Sequence, residues 1–303
     1  MFLSKWWTYS QRRTIKLQFE MTMLPVYESV RVENTLKLNA SLVADWLVSF
    51  LKDECIRRRN ARKAVLGLSG GVDSAVVAYL CAKAFGPENT YAIRMPYKIS
   101  SAESLSHADM VIRQTGIHAE TIEITAMVDG YIDNQADITP ARLGNVCARA
   151  RMIVLFDQSA RLGALPIGTG NKSERLFGYF TWHADDSPPI NPLGDLFKTE
   201  VWQLAKELGV PEEIIDKPAT ADLIKGQTDE GDFGITYAKA DQILKLLTQG
   251  FTFGKLKEMG FPSSDVDLVA KRVDSTHWKR RGPTVAMLTD SAIGEYYLRP
   301  VDY

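Results

Sequence analysis

The stretch Ala64-Val-Leu-Gly-Leu-Ser69-Gly70-Gly71-Val72-Asp73-Ser74 decides how the chain folds. Its first half, residues 64–68, is a short apolar run without alternation, which suits a strand buried on both faces of a sheet. Its second half leads from that strand into a helix. Two consecutive glycines, Gly70 and Gly71, permit positive φ and let the backbone approach a ligand closely. The helix that follows turns its free N–H groups and positive dipole end toward that ligand, which makes an anion site. Ser69 and Ser74 add hydroxyl donors for phosphate oxygens. Asp73 puts a carboxylate where a negative ligand binds, an unfavourable arrangement unless a cation lies between them. A magnesium ion bridging Asp73 and phosphate resolves the conflict. A plain glycine-rich turn with a Ser or Asp cap accounts for the glycines but not for the whole hexapeptide. No Gly-Lys-Ser/Thr follows and the spacing is not G-x-G-x-x-G, so this is neither a Walker loop nor that dinucleotide fingerprint.

Working outward, strand and helix candidates alternate. Upstream, residues 41–58 carry apolar side chains at 42, 43, 46, 47, 50 and 51, the spacing of a helix with one buried face. Downstream the pattern predicts a helix over 74–85, a strand over 90–95, a helix over 101–115 and a strand over 119–124. A long helix from Thr139-Pro140 to about 161 and a strand over 164–168 follow. Such alternation implies crossover units, hence a parallel sheet with helices on both faces. The expected fold is a doubly wound α/β domain with a five-stranded parallel sheet. Beyond residue 200 the pattern turns helical, over 199–208, 211–215, 237–248 and 264–275, giving a helical C-terminal portion. The domain is expected to occupy residues 38–303 behind an N-terminal extension, 1–37.

Composition narrows the class. Of the 303 residues, 36 are Lys or Arg and 37 Asp or Glu, a net charge of −1 that argues against a protein that coats nucleic acid. The longest unbroken apolar run, residues 75–82, is far short of the ~20 residues of a membrane helix. Cys55, Cys81 and Cys147 form no C-x-x-C and suggest neither a zinc knuckle nor a disulfide framework. A soluble protein of the cytoplasm is expected. Residues 1–20 are basic, with Lys5, Arg12, Arg13 and Lys16 against Glu20, but lack the apolar core and cleavage site of a secretory signal.

The hexapeptide Ser69–Ser74 resembles the pyrophosphate loop of ATP pyrophosphatases, which cut ATP between its α and β phosphates and adenylate a substrate. Further segments narrow the resemblance. Asn145-Val-Cys-Ala-Arg149-Ala-Arg151-Met152 is one, and Gly168-Thr169-Gly170-Asn171-Lys172-Ser173-Glu174 another. Gly178-Tyr-Phe180-Thr181 and the stretch from Pro192 through Lys198 to Thr199 come next. Lys217-Pro-Ala-Thr220-Ala-Asp222 and Gly226-Gln-Thr-Asp229-Glu230 complete the set. In order and approximate spacing these resemble the ammonia-dependent NAD(+) synthetase family, over roughly residues 38–300.

The resemblance implies a Rossmann-like fold of the adenine nucleotide α-hydrolase type and a set of roles. Ser69, Gly70, Gly71, Val72, Asp73, Ser74, Arg149 and Thr169 would hold ATP. Asp73 and Glu174 would bind magnesium. Lys198 and Thr220 would stabilise the departing pyrophosphate and, with Asp73, make up the catalytic set. Asn145, Phe180, Thr181, Asp185 and Lys279 match positions near deamido-NAD, a site the family builds between the subunits of a homodimer. The implied reaction has two steps. The carboxylate of deamido-NAD attacks the α-phosphorus of ATP, and ammonia then attacks the acyl-adenylate to give NAD and AMP. Independently of the resemblance, a lysine near a phosphate loop is what a developing pyrophosphate charge needs. No nucleic-acid or membrane partner is expected.

One segment departs from the family. Where the family reads F-T-K-Y-G-D-G-G, this chain has Phe180-Thr181-Trp182-His183-Ala184-Asp185-Asp186-Ser187. Trp182 replaces a lysine and suits stacking on a ring, while Asp186 adds negative charge beside an anionic substrate. The departures fall in the acceptor half, so the alternative reading is a related enzyme that amidates or adenylates another carboxylate. About 40 residues precede the first expected helix, too few for a glutamine-hydrolysing domain, so free ammonia or ammonia from another protein is expected.

Overall fold

The computed structural model describes residues 36–220, 228–282, 285, 286 and 288. Of the segments read above, the basic tract 1–20, Asp222 and Gly226 lie outside them. Leu36 and Leu38 are tied to the fold by the side-chain amide of Gln203, which donates to the Leu36 carbonyl and accepts from the Leu38 N–H. Asn39 caps helix α1 (Ala40–Leu51) by accepting from Leu42 N. The helix expected over 41–58 widens into a π-helical stretch, Lys52–Arg57.

Strand β1 (Ala64–Gly67) then crosses the middle of the sheet. Its side chains alternate between two cores, as a strand covered on both faces requires. Ala64 and Leu66 pack with α1, α2 (Val72–Phe85) and α3 (Ala102–Thr115). Val65 packs on the other face with α4 (Thr125–Ile132) and α5 (Pro140–Leu162). The remaining strands are β2 (Thr90–Arg94), β3 (His118–Thr121) and β4 (Leu165–Pro166), in the order β3-β2-β1-β4 with every pair parallel.

Among the described residues the sheet thus has four strands, which corrects the expectation of five. Beside β4, Ile190 forms only an isolated parallel bridge with Ile167. Pro188, Pro189 and Pro192 surround it, and proline has no N–H to extend a ladder.

From β1 the chain runs outward to β2 and β3, then returns past β1 to β4. The carboxyl ends of β1 and β4 are neighbours whose following connections diverge, the crevice where ligands bind in open α/β sheets. Helices α6 (Lys172–Phe177), α7 (Lys198–Leu208), α8 (Glu212–Ile215), α9 (Asp229–Phe233), α10 (Tyr237–Thr248), α11 (Phe253–Glu258) and α12 (Ser263–Ser275) follow. Phe177, Phe233 and Tyr237 knit the C-terminal helices together, with ring centroids 4.9 and 5.4 Å apart in successive pairs. Among the described residues no helix is long and apolar enough to cross a membrane.

Candidate active site

A cleft of about 600 Å³ opens at the carboxyl ends of β1 and β4. One wall is the loop 69–74. Ser74 Oγ accepts from Ser69 N at 3.2 Å and donates to the Gly71 carbonyl at 3.0 Å, which closes the loop on itself. Gly70 has φ +81°, and a Cβ there would stand 2.1 Å from the Ser104 carbonyl oxygen. Only glycine lets the loop pass under the start of α3. Ser69, Gly71, Val72, Asp73 and Ser74 line the cleft, whereas Gly70 supports them from behind.

The facing wall follows β4. Asn171 caps α6 by accepting from Glu174 N at 2.9 Å, and Glu174 reaches back to Asn171 N at 3.3 Å, a reciprocal capping pair. The same Asn171 side chain donates to Asp73 Oδ1 at 3.0 Å and so joins the two walls. Thr169 and Thr220 also line the cleft.

At its centre lies Lys198, the first residue of α7 and only 2% exposed. Its ammonium pairs with Asp73, lies 3.7 Å from Glu174 Oε1 and sits 5.6 Å from the centre of the Tyr237 ring. Burial opposes its charge, but Asp73 and Glu174 outweigh burial and hold its pKa above the ordinary lysine value. Glu174 is pushed up, first by burial and then by Asp73. Asp229, 4% exposed, is also pushed up by burial; its Oδ2 accepts from the Tyr237 hydroxyl at 3.0 Å while its Oδ1 is buried without a hydrogen-bond partner. Asp73, Glu174 and Asp229 gather three carboxyl groups near the one ammonium of Lys198, and burial raises the pKa of Glu174 and Asp229, so carboxyl oxygens are in excess there. A hard cation with oxygen ligands fits that excess, with Asp73 and Glu174 as the carboxylates that converge. Among the described residues no cluster of three or more His, Cys, Asp or Glu is gathered to hold a metal by itself.

The other end of the cleft is lined by Phe180, Thr181, Asp185 and Lys279. Lys279 donates to the Gly178 and Phe180 carbonyls and lies 4.4 Å from the centre of the Phe180 ring; burial lowers its pKa. Asp185 Oδ2 accepts from Thr181 N at 2.6 Å, which closes the 181–185 turn.

The model of the family described as NAD synthase matches residues 43–283. The chain belongs to the NAD synthase family. It is 46% identical over 259 residues to the NH(3)-dependent NAD(+) synthetase of Trichlorobacter lovleyi, covering 85% of this chain and 94% of that one. The solved NH3-dependent NAD synthetase from Campylobacter jejuni superposes with a TM-score of 0.71 at 32% identity, over 82% of this chain and 100% of that one. The solved NMN synthetase from Francisella tularensis gives 0.73 at 30%, over 82% and 99%.

Against the family pattern, two expected residues stand apart. Asn145 and Arg149 lie on the exposed side of α5, outside the cleft wall. They hold the 181–182 segment, Asn145 Oδ1 accepting from Thr181 Oγ1 at 3.0 Å and Arg149 Nη2 donating to the Trp182 carbonyl at 3.1 Å. Trp182 meets His183 at a tilt, with centroids 4.0 Å apart, and Trp278 edge-on at 5.3 Å. His183 holds φ +59°, a left-handed conformation unusual outside glycine.

Arg151, a basic residue of the resembling segment, lines the cleft and donates from Nε to the Met95 carbonyl at 3.1 Å. Lys217, to which sequence reasoning gave no role, lines it too and donates to Ser104 Oγ at 3.0 Å. Asn171 and Asp229 lay inside quoted segments; the three-residue spacing of Asn171 and Glu174 was a capping signal that pointed to the first. Asp241 had no motif around it.

Proposed function

We propose that this chain is an ATP-dependent carbon–nitrogen ligase that amidates deamido-NAD with ammonia, giving NAD, AMP and pyrophosphate through an acyl-adenylate. The observation that carries the reading is the buried Lys198 held by Asp73 and Glu174 where the β1 and β4 loops meet, in a chain of the NAD synthase family. The 69–74 loop takes the phosphates of ATP, and Thr169 and Thr220 flank them. The substrate carboxylate attacks the α-phosphorus, and the bond to the β-phosphate breaks. Lys198 meets the charge that grows on the departing pyrophosphate, in a site too buried for water to screen it. Ammonia then adds to the acyl carbon and AMP leaves. No side chain acts as nucleophile, so catalysis is positioning and electrostatics.

Asp73 and Glu174 are the residues that would hold magnesium, and the orphaned Asp229 Oδ1 adds a buried acceptor nearby. When bound, magnesium neutralises phosphate charge.

A homodimer completes the reading. Asn145, Arg149, Ile153 and Phe156 fall at helical spacing on one exposed face of α5, with Ile153 54% and Phe156 37% exposed. A second copy covering that face would bury the apolar pair beside the residues that brace the substrate segment. The enzyme works in the cytoplasm, on free ammonia or ammonia from another protein.

The test is an assay of isotope-labelled deamido-NAD with ATP, magnesium and ammonia. NAD and AMP in equal amounts are expected, and their absence overturns the reading. The mononucleotide acid of the same nicotinate is the second acceptor to assay. Trp182 in place of the family lysine and the likeness to an enzyme described as NMN synthetase favour including it. Turnover of the mononucleotide alone would move the acceptor to that smaller carboxylate.

A further inference from the structure

Helix α7 has no N-cap side chain. Phe197 stands at its N-cap position and offers no side-chain acceptor. Two of the N–H groups that a helix start leaves open, those of Lys198 and Thr199, are met from other helices. Lys198 N donates to Ser173 Oγ at 2.9 Å, and Thr199 donates from both N and Oγ1 to Asp241 Oδ2 at 2.9 Å. Ser173 Oγ donates in turn to Asp241 Oδ1 at 2.5 Å. Asp241 lies on α10, is 0% exposed and has both oxygens engaged. One turn along α10, Lys245 holds Glu200 at 2.9 Å, and the other Glu200 oxygen accepts from Phe197 N at 2.9 Å.

The bonds of Asp241 end one residue away from two groups of the phosphate site. Ser173 precedes Glu174, and Thr199 follows Lys198. The α10 positions around it, Tyr237, Ala240 and Leu244, are buried and mostly apolar, so packing alone gives no reason for a carboxylate there. We propose that Asp241 is a positioning residue that fixes Glu174 and Lys198 relative to one another, and through them the fit of the cleft to the departing pyrophosphate. This rests on the reading of Lys198 given above.

The electrostatics agree with a role other than stability. Burial pushes Asp241 up to about 6, with Ser173 and Thr199 lowering it and Glu200 raising it; Lys245, facing the same helix start, is occupied by Glu200. The ionised form works against folding while it aligns three donors.

Asp241→Asn tests this. The amide retains one acceptor for Thr199 but turns a donor on the Ser173 hydroxyl, which can no longer donate to position 241, so the carboxylate that anchors both Ser173 and Thr199 is lost without a change of size. Expected is a fall of about 10- to 100-fold in kcat for pyrophosphate release, with KM for ammonia unchanged. The unfolding midpoint at about pH 7.5 should be equal to or above that of the parent. Ser173→Ala should show the same kinetic loss, Ser173→Thr should restore the rate, and the double variant should lose no more than either single one. Parent-like kcat in Asp241→Asn overturns the proposal, as does a loss that appears in KM for ammonia or follows a lowered midpoint. Calorimetry with magnesium pyrophosphate needs no acceptor and separates this from the functional reading. If the parent releases no pyrophosphate with deamido-NAD, that reading falls, and the proposal then requires about 10-fold weaker pyrophosphate binding in both variants. Equal binding overturns it.

Discussion

Lys198 keeps its charge at a nearly water-free position because two carboxylates face it, and that arrangement dictates what its loss does. Lys198→Met preserves most of the side-chain length and removes the charge. We expect pyrophosphate release to fall about 100- to 1,000-fold, measured by rapid quench with saturating ATP. A parent-like rate would remove this lysine from the chemistry. Asp241 gives a different signature. Its folded pKa, about 6, lies above the usual 3.8, so the folded chain binds its proton more tightly than the unfolded chain does. Its ionisation therefore costs stability, and stability should rise as pH falls from about 6 toward about 4. Urea midpoints across that window should show the rise, and Asp241→Asn should flatten it. The two residues differ in how far the sequence disclosed them. Lys198 sits in a segment of family pattern, and a cation was what a phosphate loop required. Asp241 is one acidic residue in an amphipathic helix, and its meaning arises only where α10 meets the start of α7.

Loop and helix geometry carry predictions of their own. Gly70 combines positive φ with a backbone atom where its Cβ would be, whereas Gly209 has φ +79° and open space around it. Gly70→Ala should destabilise by about 1–3 kcal/mol and weaken ATP binding, because the loop must leave Ser104. Gly209→Ala should show the conformational cost alone, with ATP binding intact. Chemical denaturation and calorimetry on the pair separate clash from strain. The elements read best from sequence were long and periodic: α10 was expected over 237–248 and runs over Tyr237–Thr248. The elements missed were short. Helices α4, α6, α9 and α11 have 8, 6, 5 and 6 residues, too few turns for a periodic signal, and their ends are set by caps such as Asn171 and Thr252. Prolines account for the missing fifth strand, since pairing needs donors that Pro188, Pro189 and Pro192 lack.

For the whole molecule, the alternation of strands and helices disclosed the parallel sheet, and the hexapeptide after β1 pointed to the end of the sheet that carries the cleft. Strand order was beyond it, because the return of the chain past β1 to β4 is a long-range event. Assembly is the prediction at this scale. The chain should sediment as a dimer, and Ile153→Glu with Phe156→Glu should shift it to a monomer. The paired charges cannot be buried without partners. Activity should fall with the shift, because the face they share with Asn145 and Arg149 would be left bare. A fully active monomer would overturn both the dimer and its role at the site.

The way Asp73 is held has a bearing on biogenesis. Its partners Asn171 and Lys198 lie 98 and 125 residues further along the chain. On the ribosome, the nascent chain carries its phosphate loop long before either partner has emerged, and both long loops must close before the carboxylate is gripped. The first hundred residues hold the 69–74 loop without the side chains that fix its carboxylate. The grip on Asp73 is therefore made only after α7 has been synthesised, late in the birth of the chain.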